Sequence, residues 1–142
     1  MWIYEGKEYD ETPEEYQGFV YEITEIDTGM KYIGKKFFWK PKTLPVTKSR
    51  KRKVKTKVQS DWKKYFGSSD KVKQLVESGI PFKREILQLC RTKGECSYFE
   101  AKMQFEYDVL LRDDFYNEFI GLKLHSKHIS QLKEDYNNER ES

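Results

Sequence analysis

The chain has 142 residues and a net charge of +3, with 36% of its residues charged and 37% hydrophobic. That length supports one core, and the 15% aromatic content supplies burial area that a disordered chain lacks. No apolar run approaches a membrane span, MWIYEGKEYD has no basic-then-apolar leader pattern, and Cys90 and Cys96 are too few for a disulfide framework, so a soluble cytoplasmic protein without a membrane partner is expected.

Residues 1–17 form an acidic, aromatic arm, expected to pack on the domain through Trp2, Tyr4, Tyr9 and Tyr16. Within it Thr12-Pro13-Glu14-Glu15 reads as a helix start, with Thr12 as N-cap and Pro13 in the first turn. Gly18 to Lys36 reads GFVYEITEIDTGMKYIGKK. Alternation puts Phe19, Tyr21 and Ile23 on one face, and Asp27-Thr28-Gly29 supplies a turn. The stretch is therefore an antiparallel hairpin with Tyr21 on one strand and Tyr32 on the other.

A basic block follows. Lys35 to Lys64 holds thirteen bases and one acid, Asp61, a net +12; the rest holds fourteen bases and twenty-three acids, a net −9. Such segregation points to a polyanion, and nucleic acid fits because no amphipathic membrane helix accompanies it. Within residues 40–60, a loop carrying Pro41 and Pro45 is expected, and TKSRKRKVKTK is expected to stay mobile until it meets phosphate. Lys36, Lys48, Arg50, Lys51, Arg52, Lys53, Lys55, Lys57, Lys63 and Lys64 are the candidate DNA contacts.

SDWKKYFGSS reads as a short helix stopped by Gly67, and Ser69-Asp70 caps a second helix, Lys71 to Ser78, with Val72, Leu75 and Val76 inward and Gly79 as its stop. A third strand ends at Cys90, itself read as a small buried hydrophobe. A long helix is expected over Ser97 to Arg112, with Phe99, Met103, Tyr107 and Leu110 as its stripe. His125 and His128 read as surface histidines, residues 123–142 as a polar tail, and Gln131 to Ser142 as the part that frays. The expected fold is α/β (α+β), a small three-stranded, mostly antiparallel sheet flanked by helices.

The pattern FVY, ten residues, YIG resembles the signature of the GIY-YIG nuclease superfamily, with Phe19 in the place of the family's glycine. YIGKK, WKKYFGSS, FKREIL and the ExxxQ-to-YN arrangement look like phage-borne members related to the Seg homing endonucleases. The resemblance covers about Gly18 to Ile120 and makes residues 18–122 a nuclease domain. It implies a hydrolase cutting double-stranded DNA with Mg²⁺ or Mn²⁺, phage-encoded and acting in a bacterial host's cytoplasm, with no protein partner implied. By the same resemblance Tyr21 and Tyr32 are the motif tyrosines, Lys35 the lysine after YIG, Glu100 the metal ligand, and Asn117 the terminal asparagine. Tyr65 stands where a histidine is common, and Asp61 where the family has an arginine. The rival class is a nucleic-acid-binding module that keeps this fold without the chemistry.

Two alternatives stay open on the long helix. Ser97 and Glu100 also have the spacing of a capping box, which would make Glu100 structural. Glu106, near the middle of the apolar stripe, is a second metal ligand candidate or a buried partner of Arg84. Implied chemistry gives Tyr21 the task of activating water, with Lys35 lowering its pKa from about 10.

Overall fold

A computed structural model describes residues 1–49 and 51–141, with the side chain of Glu141 excepted. Its main sheet is built from β1 (Trp2–Tyr4), β2 (Lys7–Tyr9), β3 (Gly18–Glu25), β4 (Lys31–Phe37) and β7 (Phe82–Cys90). The order is β2-β1-β7-β3-β4, and every pairing is antiparallel except β1 with β7. The sheet thus has five strands where three were expected. The arm supplies the extra pair, joined through Glu5 and Gly6, both in the left-handed region at φ 51° and 79°. That is the backbone of a two-residue hairpin turn, but Glu-Gly is a weak sequence signal for one.

Thr12 caps no helix. Its hydroxyl instead accepts from the Trp62 indole at 2.9 Å, so a tertiary contact has taken the group the cap needed. The β3–β4 turn forms as expected, with Gly29 at φ 76° and Glu25 accepting from Thr28 and, at 3.3 Å, from Tyr116.

The sheet buries both faces. Trp2, Phe19, Tyr21, Ile23, Phe38, Trp62, Val72 and Ile86 form one core, beneath α1 (Asp70–Glu77) and a 3₁₀ turn, Trp62–Lys64. Val20, Ile33, Cys90, Cys96, Val109 and Phe115 form the other, against α2 (Lys93–Glu106). Ser69 caps α1 by accepting from the Val72 amide, as its sequence suggests.

The boundaries of α2 differ from the expected span. Thr92 is the N-cap, accepting from the Glu95 amide at 3.1 Å, so Ser97 lies inside the helix and forms no capping box. Its far end comes at Glu106, beyond which Asp108 turns left-handed at φ 52°. Tyr107 and Leu110 consequently leave the stripe and lie 41% and 46% exposed.

Two further segments carry more order than expected. The proline-bearing loop is a two-stranded ribbon, β5 (Trp39–Leu44) against β6 (Val54–Gln59). Pro41 is tolerated because each strand of a ribbon has a free edge. The tail forms α3 (Ser130–Glu141), anchored by an Arg91–Asp135 ion pair at 3.2 Å. Among the described residues no helix is long and apolar enough to cross a membrane.

Candidate active site

The site is organised along the outer edge of β4. Tyr32, Gly34 and Lys36 face the first core, and Ile33 and Lys35 face α2, as a period of two demands. An exposed strand edge leaves backbone donors and acceptors open, and here side chains occupy them. Asn117 Oδ1 accepts from the Ile33 amide at 3.1 Å, while its Nδ2 donates to the Ile33 carbonyl at 2.8 Å. Gln104 Nε2 donates to that same carbonyl at 2.9 Å. One residue pair further along, the Glu100 carboxylate accepts from the Lys35 ammonium at 3.2 Å. Glu100 and Gln104, one helical turn apart, are thereby aligned with the strand.

Glu100 is half-buried, its side chain 16% exposed. Burial raises its pKa above the usual carboxylate value, and the Lys35 charge and hydrogen bonds pull it back down. It faces a cleft of about 360 Å³ lined also by Tyr32, Lys35, Ser68, Asn117 and Glu118. The Tyr32 hydroxyl lies 2.9 Å from the Ser68 hydroxyl at the cleft mouth.

Tyr21 lies behind Tyr32, fully buried, with ring centroids 6.3 Å apart. Two glycines make room for it. A Cβ on Gly34 would sit 2.7 Å from Tyr21 Cζ, and one on Gly67 would sit 3.2 Å from the Tyr21 hydroxyl oxygen. Among the described residues that hydroxyl has no partner in hydrogen-bonding geometry, and Tyr65 is its polar neighbour. Burial first, and the neighbouring tyrosines second, raise its pKa well above the ordinary value. The expected neighbour Lys35 does not lower it, because alternation puts Lys35 on the α2 face, where it pairs with Glu100. Lys36 does lie on the tyrosine side, its Nζ 4.2 Å over the Tyr65 ring and 2.7 Å from Asp61.

Arg84 fixes the segment that closes over the tyrosines. Buried between Trp2 and Phe66, its guanidinium donates to the Lys63 and Tyr65 carbonyls at 3.1 and 2.7 Å. Desolvation lowers its pKa to about 10. It is therefore no partner for Glu106, which is exposed at the last residue of α2 and lines none of the cleft.

Among the proposed DNA contacts, Lys48, Lys51, Arg52, Lys53, Lys55 and Lys64 are exposed. Lys57 lies against Trp39 and pairs with Glu14 at 3.4 Å, and Lys63 lies over Trp62 at 5.9 Å. Arg50 lies outside the described residues. Ser68 and Glu118 also belong to the cleft and were not expected from sequence, and Gln104, which the sequence offers only as the glutamine of ExxxQ, joins them. Gln104 was within reach, being four residues after Glu100 on the same helix face; Glu118 carries no comparable signal. His125 and His128 are exposed and spend their Nδ1 atoms capping the 3₁₀ turn before α3.

Two carboxylates, a lysine and four hydroxyls around one cleft, beside a basic ribbon, are the elements of a hydrolytic site for a polyanion. Residues 2–120 match the SegE_GIY-YIG family, described as "Putative endonuclease segE, GIY-YIG domain", and the chain belongs to that family. The match takes in β1 and β2 as well as the tyrosine hairpin, and ends before α3. No curated protein and no solved structure gives a significant match.

Proposed function

We propose that this chain is a metal-dependent endonuclease that hydrolyses phosphodiester bonds of double-stranded DNA in the Glu100 cleft. The carrying observation is the convergence of Glu100, Lys35, Tyr32 and Ser68 on one cleft at the β4 edge. The donor set fits Mg²⁺ or Mn²⁺. Glu100 is a hard oxygen ligand with open space before it, and among the described residues no group of three His, Cys, Asp or Glu offers a closed cage. When bound, such an ion supplies Lewis-acid stabilisation of the charge that gathers on phosphate.

The chain's own residues divide the remaining work. Glu100 holds the ion, and Lys35, held beside it, offsets negative charge as the phosphate reacts. Tyr32 positions water or phosphate oxygen through its hydroxyl, supported by Ser68. Tyr21 is a phenol in the resting protein; its buried hydroxyl lies behind Tyr32 and outside the cleft lining, so it meets the attacking water only once Tyr32 moves aside. Lys36 is the candidate for the cation that the family arginine would supply.

The rival reading, a binding module without catalysis, draws on Asp61, which stands in the arginine's place and engages Lys36 at 2.7 Å. Incubation of supercoiled plasmid with Mg²⁺ separates the two. The wild type is expected to cut, and Glu100→Ala and Tyr21→Phe to bind without cutting. A wild type that binds every DNA offered and cuts none would establish the rival.

A further inference from the structure

We propose that the β5–β6 ribbon is an arm that enters the major groove of duplex DNA, with the lysine-lined cleft at its root gripping the backbone beside the scissile phosphate. This rests on the endonuclease reading for the phosphate to be cut, but not for the groove contact itself.

Charge gives the first argument. Residues 39–59 contain nine Lys or Arg and no acid. Such a ribbon repels a second copy of itself along its open edges and suits a polyanion instead. Its shape gives the second. Six residue pairs join the strands, from Trp39↔Gln59 to Leu44↔Val54. At about 3.3 Å per residue the paired part alone reaches ~20 Å, about the width of a duplex. A two-stranded ribbon fits a groove ~12 Å wide as it stands, whereas one of ~6 Å must first be widened at a cost in DNA deformation.

The register places the cations suitably. Lys55 and Lys57 share one face with Thr43, whereas Lys40 and Lys42 share the other with Thr56. In the groove these faces meet opposite phosphate walls, and the threonine hydroxyls can reach base edges. The root is held firmly. Trp39 Nε1 donates to the Pro13 carbonyl at 3.0 Å, and Gln17 Nε2 donates to the Trp39 carbonyl at 3.0 Å. Beside it lies a cleft of about 540 Å³ whose lining includes Lys35, Lys36, Lys40, Trp39 and Asp61. It shares Lys35 with the Glu100 cleft, so one strand of DNA can pass from the root to the reacting centre without leaving the lysines.

Binding of a labelled 30-bp duplex, read by fluorescence anisotropy in Ca²⁺ at several salt concentrations, tests this without cleavage. Lys42→Gln with Lys55→Gln, both exposed positions, should weaken binding about tenfold and reduce the log–log salt slope by about 2, ~0.9 for each phosphate no longer neutralised. Duplex whose pyrimidines carry bulky C5 groups, which fill the major groove, should bind the wild type at least about fivefold more weakly. That discrimination should vanish in a variant whose residues 43–55 are replaced by Asn-Gly. A minor-groove ligand should compete with neither protein. Unchanged affinity of the double variant, indifference of the wild type to C5 groups, or displacement by the minor-groove ligand would each overturn the proposal. Groove-sensitive binding without cleavage would leave the ribbon's role standing and refute only the nuclease reading.

Discussion

Replacing Tyr21 by phenylalanine should strengthen the fold while removing activity. The ring is fully buried, with Trp2, Tyr65 and Phe19 centroids at 5.5, 5.9 and 6.1 Å, and phenylalanine fills the same space. Only the hydroxyl is removed, and it has no hydrogen-bond partner among the described residues. A buried polar group left unsatisfied costs about 1–3 kcal/mol, so its removal should stabilise by ~1 kcal/mol or more. For a chain of this size that raises Tm by about 3–4 °C. Urea unfolding should show a higher midpoint at unchanged slope. Gly34→Ala supplies the cross-check. Its Cβ would meet the Tyr21 hydroxyl and Cζ, and overpacking of this kind costs about 1–3 kcal/mol. Part of that loss should be recovered when Tyr21→Phe is added, a coupling of ~0.5 kcal/mol or more. If Tyr21→Phe is destabilised by a kilocalorie or more, the hydroxyl has a partner and the reasoning fails.

Arg84→Met should lose about 1–3 kcal/mol by urea unfolding, because two part-buried carbonyls lose their charged donor; stability near wild type would mean the segment over the tyrosines is held otherwise. Asn117→Ala should cost about 1–3 kcal/mol, since Gln104 still serves the Ile33 carbonyl but nothing replaces the acceptor for its amide. The pH dependence follows from Glu100, whose folded pKa is raised. Its protonated form is favoured by folding, so its contribution to stability is present below the unfolded value of about 4.5 and is lost as pH rises through the folded value. Glu100→Gln should flatten that part of the stability–pH curve. Lys35→Met removes the charge that pulls the pKa down, so the acid limb of cleavage should move to higher pH; an unmoved limb would separate Lys35 from Glu100.

Much of the site was legible because it rests on short-range rules. Alternation placed Phe19, Tyr21 and Ile23 on one face, and Gly29 and Ser69 turned or capped where their chemistry suggests. What stayed hidden depended on contacts between distant residues. Thr12 looked like an N-cap until the Trp62 indole claimed it. Lys7-Glu8-Tyr9 is too short and charged to announce a strand, yet pairing with β1 orders it. Val54-Lys-Thr-Lys-Val58 does alternate, but its charge masked the strand period. Lys35 and Lys36 could be named together, while their separation onto opposite faces of β4, one to Glu100 and one to Asp61, emerges only once the strand's neighbours are known.

Single-turnover cleavage of a supercoiled plasmid by Glu100→Gln and Glu106→Gln, each beside the wild type with Mg²⁺, tests the central claim most directly. Loss of a metal-holding carboxylate should slow cutting by at least ~10²-fold, exceeding the 10- to 100-fold typical of outer-shell changes. The account predicts that loss for Glu100→Gln and a wild-type rate for Glu106→Gln. An undiminished rate for Glu100→Gln would contradict it.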